Sequence, residues 1–247
     1  MLESIFIGLV LLCLGIPIAS FVILLLLGFF DKELDYLQLE NKKIEMEKEL
    51  HRVEYFQLSQ QIEPHFLFNS LNAMLSLGRL GRAKDQNYAL EQFSKFLRYK
   101  YSEKDSLVPF KRELSYTKHY IFIQKIRFDN RLSVELTIDE RAQSTYLPPY
   151  MLQTLVENAF KHGLEKKKGT KNLFISLERE GNWVTLIVMD NGPDFEENQI
   201  DYHGIGLQNI KKRLGLIYEL YTDLKIYRKN GMTIAKVIWP YTPEGKV

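Results

Sequence analysis

His65 is the first residue of this chain whose surroundings point to chemistry. It follows Pro64 in a segment of helical pattern, and a proline there removes one backbone hydrogen bond and bends the helix beside the histidine. Neutral imidazole is nucleophilic near physiological pH, so an exposed His65 could accept a phosphoryl group. Asn69 lies one turn later, spaced to hydrogen-bond the ring or a nucleotide phosphate. A surface or packing role for His65 is the alternative that the residues alone leave open.

A second candidate group ends a predicted helix over residues 148–162. Asn158, Lys161 and His162 fall within about one turn of each other. Asn158 could therefore hold Mg²⁺ while Lys161 and His162 face phosphate oxygens. An ordinary helix C-terminus is the alternative, because Lys and His suit the negative end of the helix dipole and Gly163 suits the position after a helix.

Two glycine-containing segments follow. Asp190 ends a predicted apolar strand, where its carboxylate could accept a hydrogen bond from an adenine amino group, and Gly192 would let the backbone approach the ring. A plain turn is the alternative for this segment. Gly204, Gly206 and Leu207 open a predicted helix whose free N–H groups would face phosphates. The order and spacing of all three segments predict a nucleotide site more specifically than any one segment.

A helical hairpin and a mixed domain must position these groups, and we predict an α+β fold. The helical hairpin is predicted over residues 61–130, where Leu90, Phe93, Phe96 and Leu97 form an apolar stripe. The domain over 131–247 is predicted to be an α/β sandwich with helices on one face of a mixed sheet. The predicted helices cover 88–101, 111–125, about 148–162 and 207–218; the predicted strands cover 132–138, 172–180, 183–190, 224–228 and 232–239.

The start of the chain is predicted to be a membrane anchor. No charged side chain occurs from Ile5 to Phe30, and at about 1.5 Å a residue this run exceeds the apolar thickness of a bilayer. We predict a single transmembrane helix within residues 1–30; a cleavable signal peptide is the alternative, but no basic segment precedes the run. Lysines follow the run, so the positive-inside rule places the C-terminal bulk in the cytoplasm. Residues 31–60 are predicted to be a cytoplasmic helix, either a marginal dimerising coiled coil or a solvated connector.

Composition excludes several classes of protein. The 247 residues are 45% hydrophobic, enough to form a core rather than a disordered tail. Lys and Arg number 33 against 31 Asp and Glu, so no basic field favours direct binding of nucleic acid. Cys13 is the single cysteine, which excludes an intramolecular disulfide and a cysteine-ligated metal cluster.

From about Gln60 to Pro240 the sequence resembles the sensor histidine kinases of the LytS/YesM type, which carry a Bergerat-fold (GHKL) ATPase domain. The segment Gln-Ile-x-Pro-His-Phe-Leu-Phe-Asn is similar to the family's phosphoacceptor box. The matching segments are 61–69 for that box, 109–132 for the connector, 155–163 for the N box, 190–192 for the first glycine box and 204–209 for the second.

The resemblance implies that His65 is phosphorylated and that MgATP binds between the helix of Asn158 and the loop 191–204. It also implies a homodimer and passage of the phosphoryl group to an aspartate of a cytoplasmic response regulator. The stimulus would arise within the membrane, at the cytoplasmic helix or through a partner membrane protein.

Several residues depart from the family pattern. Phe66 replaces the acid that follows the histidine in the commoner kinases, which leaves Glu63 as a candidate base by proximity alone. Thr154 stands where water-hydrolysing GHKL members carry a glutamate base, which favours transfer to protein over a GHKL ATPase or chaperone. Asp194 replaces a glycine of the first glycine box and is the one feature that favours a degenerate, non-catalytic membrane scaffold.

Overall fold

The computed structural model describes residues 26–46, 64–102, 105–193, 205–218 and 221–243. The chain divides into two compact units, Met1–Leu58 and Ser59–Val247. In the first unit, helix α1 covers residues 26–46 and its side chains are exposed. Within the described ranges, no helix is both long and apolar enough to cross a membrane. Most of the predicted span, residues 1–25, lies outside those ranges, as does the second half of the predicted cytoplasmic helix.

Three helices open the second unit, as the hairpin prediction requires. They are α2 (Pro64–Arg79), α3 (Ala83–Ser102) and α4 (Phe110–Phe128). Phe66 of α2 packs against Phe96 of α3, with ring centroids 5.5 Å apart. The predicted stripe on α3 is correct for its two phenylalanines, which are buried, and for Leu97, which packs against the core, whereas Leu90 is exposed.

A five-stranded mixed sheet follows a short 3₁₀ turn (Asp129–Arg131), as predicted. Its strands stand in the order β2-β4-β5-β7-β6; β2 pairs parallel to β4 and all other neighbours are antiparallel. The strands are β2 (Leu132–Ile138), β4 (Lys171–Glu180), β5 (Trp183–Asp190), β6 (Asp223–Lys229) and β7 (Met232–Pro240). A separate two-residue pairing of β1 (Val108–Pro109) with β3 (Tyr146–Leu147) was not predicted.

The remaining helices supply the core that covers this sheet. Alternate residues of β4 and β5 are buried, as expected for strands with one covered face. Helix α5 (Met151–Asn158) continues as a π-helical segment (Ala159–Leu164), and α6 (Ile205–Ile217) packs beside α5. The predicted helix over 148–162 therefore begins three residues late, because Tyr150 has a left-handed φ of 66°, and it ends as a π-helix.

Glu113 of α4 links the helices to the start of α5. Its carboxyl oxygen Oε1 accepts hydrogen bonds from the Tyr99 hydroxyl and from the Tyr150 N–H, the latter at 2.7 Å. Its second oxygen is buried and has no hydrogen-bond partner among the described residues. Burial raises the pKa of Glu113 from 4.5 to about 7. Folding therefore favours the protonated form of this carboxyl.

We expect the Glu113→Gln variant to lose less stability than the parent as pH rises from 5 to 8. The unfolded chain releases this proton near pH 4.5 and the folded chain near 7, so the ionisation removes up to about 3 kcal/mol of stability across that interval. Glutamine keeps the acceptor oxygen and cannot ionise. Urea unfolding at the two pH values measures the difference, with Glu178→Gln, an exposed residue of β4, as the control. Equal losses in the parent and Glu113→Gln would contradict the assignment.

Candidate functional site

His65 lies in the first turn of α2 with 64% of its side chain exposed. The Asn69 amide nitrogen Nδ2 lies 2.9 Å from His65 Nε2, as the one-turn spacing predicts. With the Asn69 amide in this orientation, its NH₂ group donates to Nε2, which corresponds to the tautomer with the ring proton on Nδ1. In this tautomer Nε2 carries the lone pair and is the candidate nucleophilic nitrogen.

Glu165 faces the other ring nitrogen of His65. Its Oε2 lies 3.7 Å from His65 Nδ1, and its Oε1 lies 3.0 Å from Arg127 Nη1. These residues border an open pocket of about 390 Å³, whose lining is completed by Asn69, Ala73 and Phe128. Sequence reasoning assigned no role to Glu165 and placed Arg127 only in the connector 109–132, because no spacing connects either residue to His65.

Arg127 is held in place along one face of α4. It donates to Gln124 Oε1 at 2.7 Å, and Gln124 Nε2 donates to the Tyr120 hydroxyl at 2.7 Å. Its guanidinium lies 5.2 Å from the ring centroid of Phe128, within cation–π distance. Only 9% of the Arg127 side chain is exposed. The ion pair with Glu165 is thus partly buried and is held from the Arg127 side.

The second candidate site forms where the 155–163 segment meets the end of β5. Asp190 is 3% exposed, and its Oδ1 accepts a hydrogen bond of 2.8 Å from the Gly192 N–H. Burial raises the pKa of Asp190 to about 6. A Cβ on Gly163 would collide with this carboxyl, and a Cβ on Gly192 would collide with the Cα of Gly163. Two of the three segments predicted to bind nucleotide, 155–163 and 190–192, are therefore in contact, and the contact involves a glycine from each.

Asn158, the last residue of α5, carries a buried amide nitrogen with no hydrogen-bond partner among the described residues. An unsatisfied buried amide is costly, so this group suits a polar ligand. The nitrogen suits a phosphate oxygen; with the amide rotated, the oxygen suits Mg²⁺. The described part of the chain holds no cluster of three His, Cys, Asp or Glu suited to a metal. Mg²⁺ commonly takes most of its ligands from phosphate and water.

The other residues predicted to bind nucleotide differ in their exposure. Lys161 and His162 are exposed on the π-helical segment. A Cβ on Gly206 would lie 2.9 Å from Thr154 Cγ2, which places the start of α6 against α5. The Leu207 side chain is buried in the core. Only the backbone N–H of Leu207 could therefore face a ligand. Gly204 and the loop 194–204 lie outside the described residues.

Arg228 of β6 is a further residue that sequence reasoning missed. Its guanidinium donates to the carbonyl oxygens of Gly192 at 2.9 Å and Pro193 at 3.0 Å. These bonds fix the backbone directly after Asp190. A cation in an edge strand gives no sequence signal for such a role, because the bonds depend on the pairing of β6 beyond β7.

Comparison with known proteins gives a consistent set of matches. Residues 53–132 match the family model described as histidine kinase. The YwpD protein of Bacillus subtilis is 39% identical over 66% of this chain and 62% of its own length. The sensor protein LytS of Oceanobacillus iheyensis is 32% identical over 79% of this chain and 36% of its own length. The chain thus spans less than two thirds of either relative.

Among solved structures, the histidine kinase domain of the Erythrobacter litoralis EL346 blue-light-activated kinase matches 78% of this chain and 96% of that domain. The identity is 13% and the TM-score 0.45.

We expect Gly192→Ala to destabilise the second unit and Gly215→Ala to leave it intact. The new Cβ at position 192 meets the backbone of Gly163 and the carboxyl of Asp190, and overpacking of this kind costs about 1–3 kcal/mol. At Gly215 in α6 the Cβ meets nothing within 4 Å, and alanine gains up to about 1 kcal/mol in a helix. Urea unfolding compares the two variants. Equal stability would show that the contact between the two segments is not close.

Proposed function

We propose that this chain is a sensor histidine kinase of the LytS/YesM type, which its matches support, and that it transfers the γ-phosphoryl group of ATP to His65 and then to a response regulator aspartate. One observation carries the proposal. The compact unit that exposes His65 also brings Gly163 against Asp190, and the helix that leads to Gly163 carries the unsatisfied amide of Asn158. An acceptor histidine and a candidate nucleotide site thus belong to one unit.

In the proposed complex each segment binds one part of MgATP. Asp190 accepts a hydrogen bond from the adenine amino group, and Gly192 lets the backbone lie close to the ring. Asn158 holds Mg²⁺, which would neutralise phosphate charge when bound. Lys161 and His162 face phosphate oxygens, and the glycines at 204 and 206 shape the loop over the nucleotide. The exposure of Lys161 and His162 supports this arrangement.

The chemical step needs a positioned nucleophile and little else from the protein. The Nε2 lone pair of His65 forms the N–P bond, and the P–O bond to the β-phosphate breaks with its electron pair on ADP. Such transfer depends on in-line geometry and charge neutralisation. The exposed ring of His65 and the contact of Asn69 with its Nε2 support its role as acceptor.

We further propose that the protein acts as a homodimer. Phe68, Leu71 and Leu75 of α2 are spaced i, i+3 and i+7 and are all exposed. These three residues form an apolar stripe on one face of the helix. A second copy of the same hairpin would bury this stripe against its own, as in a four-helix bundle.

The membrane anchor within residues 1–30 is retained as a proposal, with the remaining chain in the cytoplasm. Its support is the uncharged run from Ile5 to Phe30 followed by lysines. A cytoplasmic location would place His65 where response regulators are found.

We expect the 247-residue chain, purified in detergent and incubated with Mg²⁺ and γ-labelled ATP, to acquire acid-labile, alkali-stable label. His65→Ala should remove the label and spare ATP binding, because it removes only the acceptor. Asn158→Ala should weaken ATP binding and labelling roughly tenfold or more, since a charge-assisted contact is lost. His51→Ala, a histidine in no predicted site, is the matched control.

Three results would contradict the proposal or one of its parts. Label that persists in His65→Ala would show another acceptor. Normal labelling of Asn158→Ala would overturn the metal assignment. Steady phosphate release from a parent chain that stays unlabelled would favour an ATPase that transfers to water.

A further inference from the structure

We propose that Glu165 is a positioning residue for His65. Its carboxylate holds the ring in the tautomer with the proton on Nδ1 and faces the positive charge that the ring gains during phosphoryl transfer. This inference rests on the proposed function, because it assigns a role in the same reaction.

The geometry assigns the two ring nitrogens different partners. Asn69 Nδ2 lies 2.9 Å from Nε2 and Glu165 Oε2 lies 3.7 Å from Nδ1. The donor at Nε2 and the anion near Nδ1 favour the same tautomer, since the second nitrogen of a histidine sets which one carries the proton. The 3.7 Å separation exceeds a hydrogen bond, and contacts of catalytic groups are often long before substrate binds.

Glu165 is built into the protein more firmly than a surface carboxylate. Its side chain is 19% exposed, and its Oε1 is bound by Arg127, itself 9% exposed and linked through Gln124 to the buried Tyr120. Because Oε1 is engaged by Arg127, Oε2 is the oxygen left to face His65. The π-helical segment ends directly before Glu165. A π-helical turn contains one more residue than an α-helical turn, so it changes the direction in which Glu165 leaves the helix.

This arrangement accounts for a kinase whose acceptor histidine is followed by Phe66 rather than by an acid. In the Nδ1–H tautomer no base has to deprotonate Nε2 before attack. The Nε2 lone pair forms the N–P bond, the P–O bond to ADP breaks with its electron pair on ADP, and the proton stays on Nδ1. The ring then carries one positive charge, which the Glu165 carboxylate stabilises across a partly buried contact.

The first test compares Glu165→Gln and Glu165→Asp with the parent in the 247-residue chain. We expect Glu165→Gln to lower the autophosphorylation rate at saturating ATP by roughly 10- to 100-fold, with the KM for ATP unchanged. Glu165→Asp keeps the charge and should retain more of the rate than Glu165→Gln. Glu178→Gln, an exposed carboxylate on β4, is the matched control.

A rate for Glu165→Gln equal to that of the parent would overturn the inference. A faster rate would also overturn it, because the contact would then restrain His65 rather than prepare it. If Glu165→Gln and Glu165→Asp lost the same fraction of the autophosphorylation rate, the result would contradict a role for the negative charge.

The second test reads the tautomer directly and needs no ATP. The chain has 5 histidines, so ¹⁵N-histidine labelling gives few ring signals, and His65→Ala identifies those of His65. Above pH 8 we expect a protonated Nδ1 in the parent and a shift towards protonated Nε2 in Glu165→Gln. The same tautomer in both would overturn the inference. If the parent failed to autophosphorylate, the proposed function would be wrong. The tautomer measurement would still test whether Glu165 sets the position of the ring proton.

Discussion

An aromatic contact chain through Phe66, Tyr120 and Phe160 is the constraint on which the rest of the structure depends. The rings of Phe66 and Tyr120 lie 4.9 Å apart, and those of Tyr120 and Phe160 lie 5.6 Å apart. Phe66 directly follows His65, and Phe160 lies two residues after Asn158. Because aromatic rings in contact dominate core energetics, packing of these three side chains fixes the acceptor histidine and the nucleotide segment relative to one hydrophobic core.

The π-helical segment Ala159–Leu164 positions residues of both candidate sites. Gly163 faces Asp190 on one side, and Glu165 at its end faces His65 on another. A regular α-helix would rotate these residues differently around the helix axis. The same six residues thus place a glycine against the candidate adenine-binding carboxylate and an anion beside the acceptor. Polar bonds from Tyr120 through Gln124 to Arg127 secure the second contact.

Most of the fold could be predicted from sequence, whereas the site could be predicted only in part. Alternation with period two located β2 at 132–138, and the strand predicted at 183–190 matches the bounds of β5. The π-helix could not be predicted, since its backbone bonds depend on tertiary packing. The site prediction found His65 and Asp190 through local motifs. Glu165 and Arg228 were missed because their contacts with His65 and Gly192 join residues far apart in sequence.

The most direct test of the central claim is to locate the phosphoryl group at atomic resolution after reaction with ATP. Tandem mass spectrometry under alkaline conditions, combined with ¹⁵N and ³¹P NMR of the ¹⁵N-histidine-labelled chain, identifies both the residue and the ring nitrogen. The account predicts phosphate on Nε2 of His65, because Nδ1 carries the proton that faces Glu165. Phosphate on another residue, or on Nδ1 of His65, would contradict it.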